Sequence, residues 1–474
     1  MLARVRSVVG RLIASLSLAF APLTSLAAEA TIDRPNQYPS PSVQHTSDDG
    51  TFDEDYPWWE NTLTGDWGGW RTDLATHGVV FDIHYVSLLM DNTHGGFDTG
   101  FVGSGPFAVT STIDTEKLCG HEGGTIFFDW EFNRWYNGPF PPDNTFDPTG
   151  SYVGTNTNFM NTDTVELNQI AQLYYEQSWW HDGATLTFGK LDANVTFASV
   201  DAAGAFQNSI AMYTSTLNRF IPSYPNESTA VIGTLGDADV LMGSFGWFDG
   251  TTAAYDPTTG LSGPDTGPRG PRTFFDNDGH WWIVTQLDAA WHLDLTRPGK
   301  MAVGAWLQTG RTSAQSTNVD GSTNPGVTDV PGAYLQWQQI VWAPSAELAD
   351  DGGGVAYFGQ FGWSDPHKNP VHWSLMTGVS ATGVFPDRLA DAVGIMFAYS
   401  DFTNDPNVYR SIERNGLPGP PGGHEASLES FYLWQWTSWA YLQPGVMWIM
   451  SPGAGSPPPL DDALLVYGVM GIEF

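Results

Sequence analysis

Ala463-Leu-Leu-Val-Tyr-Gly-Val-Met-Gly-Ile-Glu-Phe474 brings the sequence to its end on an aromatic residue. Counting back from Phe474 in twos gives Ile472, Met470, Gly468, Val466 and Leu464, a nearly continuous apolar face with the period of a strand. In a soluble protein a bare apolar edge strand invites aggregation. A closed transmembrane barrel removes that objection, because its last strand pairs with its first and the apolar face meets lipid. The stretch predicts the final strand of an outer-membrane barrel, with the buried last strand of a sandwich as the alternative.

At the other end, Arg4, Arg6 and Arg11 precede an apolar run from Leu12 to Phe20 and small residues around Ser25-Leu-Ala-Ala28. That order predicts a secretory signal peptide over residues 1–28, cleaved between Ala27 and Ala30. Residues 29–57, rich in Pro, Ser, Asp and Asn, are expected to form a flexible arm. A barrel is expected over 58–474, opening with a short helix near 64–77.

Without the three signal arginines, 15 basic residues face 52 acidic ones, a formal balance of −37. Such acidity argues against nucleic acid as a partner and fits a surface or pore that prefers cations or neutral solutes. Solubility of an exported protein explains it equally well. Cys119 is alone, so an internal disulfide framework is ruled out. The 21 Trp, 17 Tyr and 27 Phe come without any uncharged apolar run after the signal long enough for a spanning helix. Aromatic girdles of a barrel account for this, as does stacking against sugars.

Alternation is the main signal after Gly78. Val79, Phe81, Ile83 and Tyr85 oppose Asp82 and His84, and Phe128, Trp130 and Phe132 oppose Asp129, Glu131 and Asn133. Leu173, Tyr175 and Trp179 oppose Gln172, Glu176 and Ser178. Over Trp281 to Leu295 an apolar face opposes Gln286, Asp288, His292 and Asp294. Charges recur at mid-strand on one face, while Trp and Tyr sit near strand ends on the other, as a lipid face around a wet lumen requires. Long Gly-, Pro- and Asp-rich segments such as 139–154, 255–278, 312–331 and 404–423 alternate with short turns such as 180–183 and 296–300. At roughly 25 residues per strand and connection, the chain is long enough for about 16 antiparallel strands, all-β and wide enough for an aqueous channel.

Leu63-Thr-Gly-Asp-Trp-Gly-Gly-Trp-Arg71, followed by Leu74 and Gly78, leads into the first strand. Asp66 is expected to cap the helix and Gly78 to stop it, with Trp67, Gly68 and Gly69 between. Arg71 either pins the helix to the barrel or faces solute. This string resembles the opening of the carbohydrate-selective porins, the OprB family. Tyr174 to Asp192, Phe361 to Pro366, Phe385 to Gly394 and the end from Glu429 are similar to family segments in family order. Gly445, Met447 and Trp448 after Gln443-Pro444 depart from the family pattern, as does Trp70. The resemblance implies passive diffusion of small sugars such as glucose through a monomeric or trimeric barrel in the outer membrane of a Gram-negative bacterium.

Asp129 and Glu131 have the types of a glycosidase pair, but aligned acids recur on several strands, whereas catalysis needs one perturbed pair. No nucleophile elbow, phosphate loop or zincin motif occurs. Cys119, His121 and Glu122 lack a fourth metal ligand, and Asp276-Asn-Asp-Gly279 and Asn318-Val-Asp-Gly321 read better as turns than as calcium loops. No cofactor, metal or catalytic residue is expected. Strand parity nominates Asp82, His84, Asp129, Glu131, Gln172, Glu176, Gln286, Asp288, His292, Asp294, Gln336 and Gln338 as pore lining. The alternatives are a general or cation-preferring porin without a sugar site, and a secreted sugar-binding or sugar-cleaving β-protein.

Overall fold

The computed structural model describes residues 61–137, 148–161, 166–255, 271–313, 326–409, 422–455 and 459–474. The expected signal peptide and arm lie outside the described residues, as do parts of the long loops.

Alternating sequence becomes strand throughout: β1 (Val79–His94), β2 (Gly100–Ser104), β3 (Phe107–Asp114), β4 (Gly124–Asn133), β5 (Trp135–Asn137), β6 (Leu167–Trp179), β7 (Ala184–Leu191), β8 (Ser228–Asp237) and β9 (Leu241–Asp249). The second half adds β10 (Trp281–His292), β11 (Pro298–Thr312), β12 (Val327–Trp342), β13 (Gly354–Ser364), β14 (Val371–Thr382), β15 (Ala392–Phe402), β16 (Gly423–Thr437), β17 (Ala440–Met450) and β18 (Ala463–Glu473). All eighteen belong to one sheet. Each pairs antiparallel, and β1 pairs with β18 from His84↔Glu473 to His94↔Leu464, which closes the sheet on itself. β2 and β3 both pair with β1 on its other side, and β4 and β5 follow one another in the same way, so the wall has sixteen staves.

The face read as apolar in β18 points outward, with Val466 48% and Leu464 37% exposed, while Leu465, Tyr467 and Val469 are buried inside. Leu287, Val303, Phe397 and Val446 extend an exposed apolar band around the barrel. Trp179, Trp342, Trp434 and Trp436 ring its short-turn end, and Trp247, Trp363 and Trp448 lie towards the long-loop end. A band of this kind is at home only against lipid.

A short helix, α1 (Trp70–Thr76), precedes β1 at the short-turn rim. It begins later than expected. Its N-cap is Gly69 with φ 100°, and Asp66 works from three residues further back, accepting from the Thr72 amide at 2.9 Å and the Thr72 hydroxyl at 3.0 Å. The helix does stop at Gly78, whose φ is +81° and where a Cβ would meet the Asp114 carbonyl at 2.7 Å. Arg71 is buried, donates to Thr62, to the Gly65 carbonyl and to the Phe474 main-chain oxygen, and lies 4.2 Å over the Trp67 ring. Burial pulls its guanidinium below the usual value, against the carboxylates of Asp82 and Asp66.

Candidate pore constriction

Between β7 and β8 the chain runs through residues 192–227, and most of this segment lies inside the barrel. Its local structure is three short 3₁₀ turns. Two are opened by side-chain caps, Asp192 accepting from the Asn194 amide at 2.7 Å and Asn208 from the Ile210 amide at 3.1 Å. Apolar side chains then fix the segment to inward residues of the wall. Phe220 stacks on Trp306 at 5.2 Å, Phe197 meets Phe248 and Trp282 edge-on, and Phe206 contacts Phe431 at 4.8 Å and Phe358 at 5.6 Å. Wall glycines make room for it: a Cβ on Gly394 would meet Phe206 at 2.5 Å.

Polar anchors fix the rest of the backbone. Glu429 accepts from the Gln207 amide at 2.7 Å, the Asn208 amide at 2.9 Å and the Tyr467 hydroxyl at 2.6 Å. Gln443 donates to the Ala205 carbonyl at 2.6 Å, and Gln360 donates to that of Ile210. A second inward stretch, Thr155 to Asn158, is held by Glu425, which accepts from the amides of Asn156 and Gly453, both at 2.8 Å, and from the hydroxyls of Thr155 and Thr157. Each buried carboxylate satisfies main-chain donors that would otherwise be stranded in a low-dielectric interior. At the end of the long segment, burial raises the carboxyl of Glu227, with Asp192 adding to the effect and Lys190, 3.8 Å away, opposing it.

What the segment leaves open is a polar cavity on the β6–β11 side. Gln172, Glu176, Thr187, Asp192, Asp201, Gln286, Asp288 and Lys300 border it, with Tyr174 as its ring. Phe127 stacks behind Tyr174 at 5.1 Å. Four acidic residues and one lysine thus border the cavity, and Lys300 lies 3.8 Å from Asp201.

The nominated lining residues divide accordingly. Gln172, Glu176, Gln286 and Asp288 border the cavity. Gln286 and Gln338 also hold the inward segment: Gln286 accepts from the Ala198 amide at 3.0 Å, and Gln338 accepts from that of Ala202 at 3.2 Å. Gln336 is buried and bonded to Gln360. Asp129 and Glu131 are on the inner face of β4, 7% and 4% exposed, and do not border this cavity. Asp82 and His84 stand on the inner face of β1 near the short-turn rim, His84 opposite Glu473. His292 is the last residue of β10, half exposed, 4.0 Å from Asp350.

Asp294 is a correction. β10 ends at His292, and Asp294 turns the chain by accepting from the Thr296 amide at 3.0 Å and from Arg297 Nε at 2.7 Å. Those bonds, Arg297 first, push its carboxyl down to about 2. The turn therefore covers 293–297 rather than 296–300, and Leu295 is 80% exposed there.

Loops that fold inward to narrow the lumen are expected of such a barrel, but sequence reasoning did not single out this segment or its anchors. One signal was available: from 193 to 226 only Asp201 and Arg219 are charged, and Phe197, Val200, Phe206, Ile210, Leu217 and Phe220 recur without any strand period. An external loop would have no use for such a series.

Comparison with known proteins agrees with this architecture. Residues 96–474 match the family described as carbohydrate-selective porin, OprB family. Porin B of Pseudomonas aeruginosa is 25% identical over 139 residues, a stretch spanning 29% of this chain and 30% of that protein. The high-pH structure of Pseudomonas putida OprB superposes with a TM-score of 0.69 at 19% identity, covering 87% of this chain and 98% of the other. Its low-pH structure gives 0.50 at 17% identity over the same shares.

Proposed function

This chain belongs to the carbohydrate-selective porin family, and from that premise we propose that it is an outer-membrane channel for the passive diffusion of small sugars such as glucose. The observation that carries the reading is the polar cavity beside the inward segment, where carboxylates, amides and hydroxyls converge with one aromatic ring. A sugar entering it exchanges part of its hydration for bonds to Glu176, Gln172, Thr187 and Asp288, while the ring of Tyr174 meets an apolar sugar face. Each contact is weak and replaceable, so the solute leaves as easily as it enters. Family and fold are those of a channel rather than an enzyme. The signal peptide would deliver the chain to the Gram-negative outer membrane, and the barrel would act there as a monomer or trimer.

The test is conductance of the purified protein in a planar bilayer, with and without millimolar glucose, disaccharides and a non-sugar of equal size. Saturable block by sugars and none by the control supports a sugar site in the lumen. A second reading, a cation-preferring channel without such a site, is favoured by the four acidic residues that border the cavity with one lysine, Lys300. Current with strong cation selectivity and no sugar block would replace the first reading by the second.

A further inference from the structure

Among the described residues, one group of three carboxylate or imidazole side chains converges closely enough to hold a metal ion: Asp82, His84 and Glu473, whose ligand atoms all lie within 4.8 Å of one another. Their convergence follows from the register. His84 and Glu473 are direct partners across the β1–β18 pairing, and Asp82 lies two residues before His84 on the same inner face. They therefore straddle the seam at which the barrel closes, at the short-turn rim and away from the cavity beside the inward segment.

From this geometry we propose that Asp82, His84 and Glu473 form a site for a borderline divalent transition metal, of which Zn²⁺ is the type, and that the ion staples the first strand to the last. The donor set decides the class of ion. One imidazole with two carboxylates suits Zn²⁺ and its first-row neighbours, whereas Ca²⁺ and Mg²⁺ call for more oxygen ligands. Ligand atoms around such an ion stand roughly 3 Å apart at bond lengths of about 2.1 Å, so small side-chain rotations close the triangle. Two of the three side chains are only half-buried, which leaves a path for the ion and a position for water. Arg71 also draws on Asp82, so the ion shares that carboxylate with a guanidinium and the affinity is moderated rather than maximal. A ligand that bridges β1 and β18 binds only the closed barrel, and so must raise its resistance to unfolding.

The proposal does not depend on what the channel conducts, and its test uses the full chain folded in detergent after treatment with a chelator. ZnCl₂ is titrated calorimetrically, and the temperature at which the folded form is lost on a gel is followed with and without Zn²⁺. The expected result is about one equivalent bound, at least tenfold weaker in His84→Ala and in Glu473→Gln. Zn²⁺ should raise the melting temperature of the wild type and leave both variants unmoved. Equal binding by the wild type and His84→Ala, including none by either, would overturn the proposal by assigning any metal to other histidines. If His84→Ala fails to fold, Asp82→Asn takes its place, and undiminished affinity in that variant has the same meaning.

Discussion

Glu429 and Gln207 are 222 positions apart in sequence, yet the carboxylate of the first accepts the main-chain amide of the second at 2.7 Å. The wall strand β16 reaches the inward segment through this bond and through its neighbour to Asn208. The pairing is between a side chain that parity places inside and a backbone without regular partners. It makes the position of the segment a property of the wall.

Replacing Glu429 by Ala strands two amides and the Tyr467 hydroxyl in a dry interior. Charge-assisted bonds of this kind contribute roughly 1.5–3 kcal/mol each, and the segment should detach locally while the sheet persists. We expect an unchanged β-sheet signal by circular dichroism, with larger and noisier single-channel conductance. A conductance equal to that of the wild type would show that the segment holds its place without Glu429.

Asp288→Asn combined with Glu176→Gln replaces two of the four acidic side chains at the cavity by neutral amides of the same shape, each keeping one acceptor oxygen. Cation preference, read as the reversal potential in a salt gradient, should fall towards neutrality, because the field in a narrow lumen sums over few charges. If sugars bind there, their apparent affinity should weaken in the same variant, since neutral amides accept less strongly than carboxylates.

Asp391 supplies a pH dependence. It precedes β15 and is bound by Arg388 at 2.8 Å and by the Gln435 amide at 3.0 Å, with the Tyr432 hydroxyl also donating to it. Burial alone would raise its carboxyl, but these donors outweigh burial and hold it below the ordinary value of 3.8. A depressed folded value means that the stability it contributes is fully present above that ordinary value and is lost as pH falls through the lower folded one. Melting temperatures of the wild type and Asp391→Asn should therefore differ at neutral pH and converge in strong acid. A gap that persists unchanged below pH ~2 would count against this linkage.

The barrel was legible because lipid and lumen impose opposite chemistry on alternate residues. Asp82, Asp129, Gln172, Gln286 and Gln336 all point inward as their parity requires, since a period of two leaves one choice per strand. The strand that overran, Trp281 to Leu295, did so because Leu293 and Leu295 continue the apolar alternation, while Asp294 forms a turn that only its bonds to Thr296 and Arg297 reveal. Gln286 and Gln338 show a deeper gap. Their face could be read, but their partners, the amides of Ala198 and Ala202, belong to a segment with no periodicity, and its low charge does not say which of its amides meets which wall residue.

Gly394 gives the sharpest test of how the segment is seated. A methyl there would stand 2.5 Å from Phe206 and 2.7 Å from Phe431, closer than packed carbons tolerate. Gly394→Ala should therefore displace Phe206 at a cost of about 1–3 kcal/mol and raise conductance as the segment shifts. Phe206→Ala removes the obstructing ring and creates a cavity, costing about 3–5 kcal/mol by itself. In the double variant the new methyl partly fills the space the ring has left. The double variant should then cost less than the two single costs added together, with a coupling of at least about 0.5 kcal/mol in a thermodynamic cycle. Strict additivity would mean that Phe206 does not rest on Gly394 in the folded protein, and the seat of the inward segment would have to be sought elsewhere on the wall.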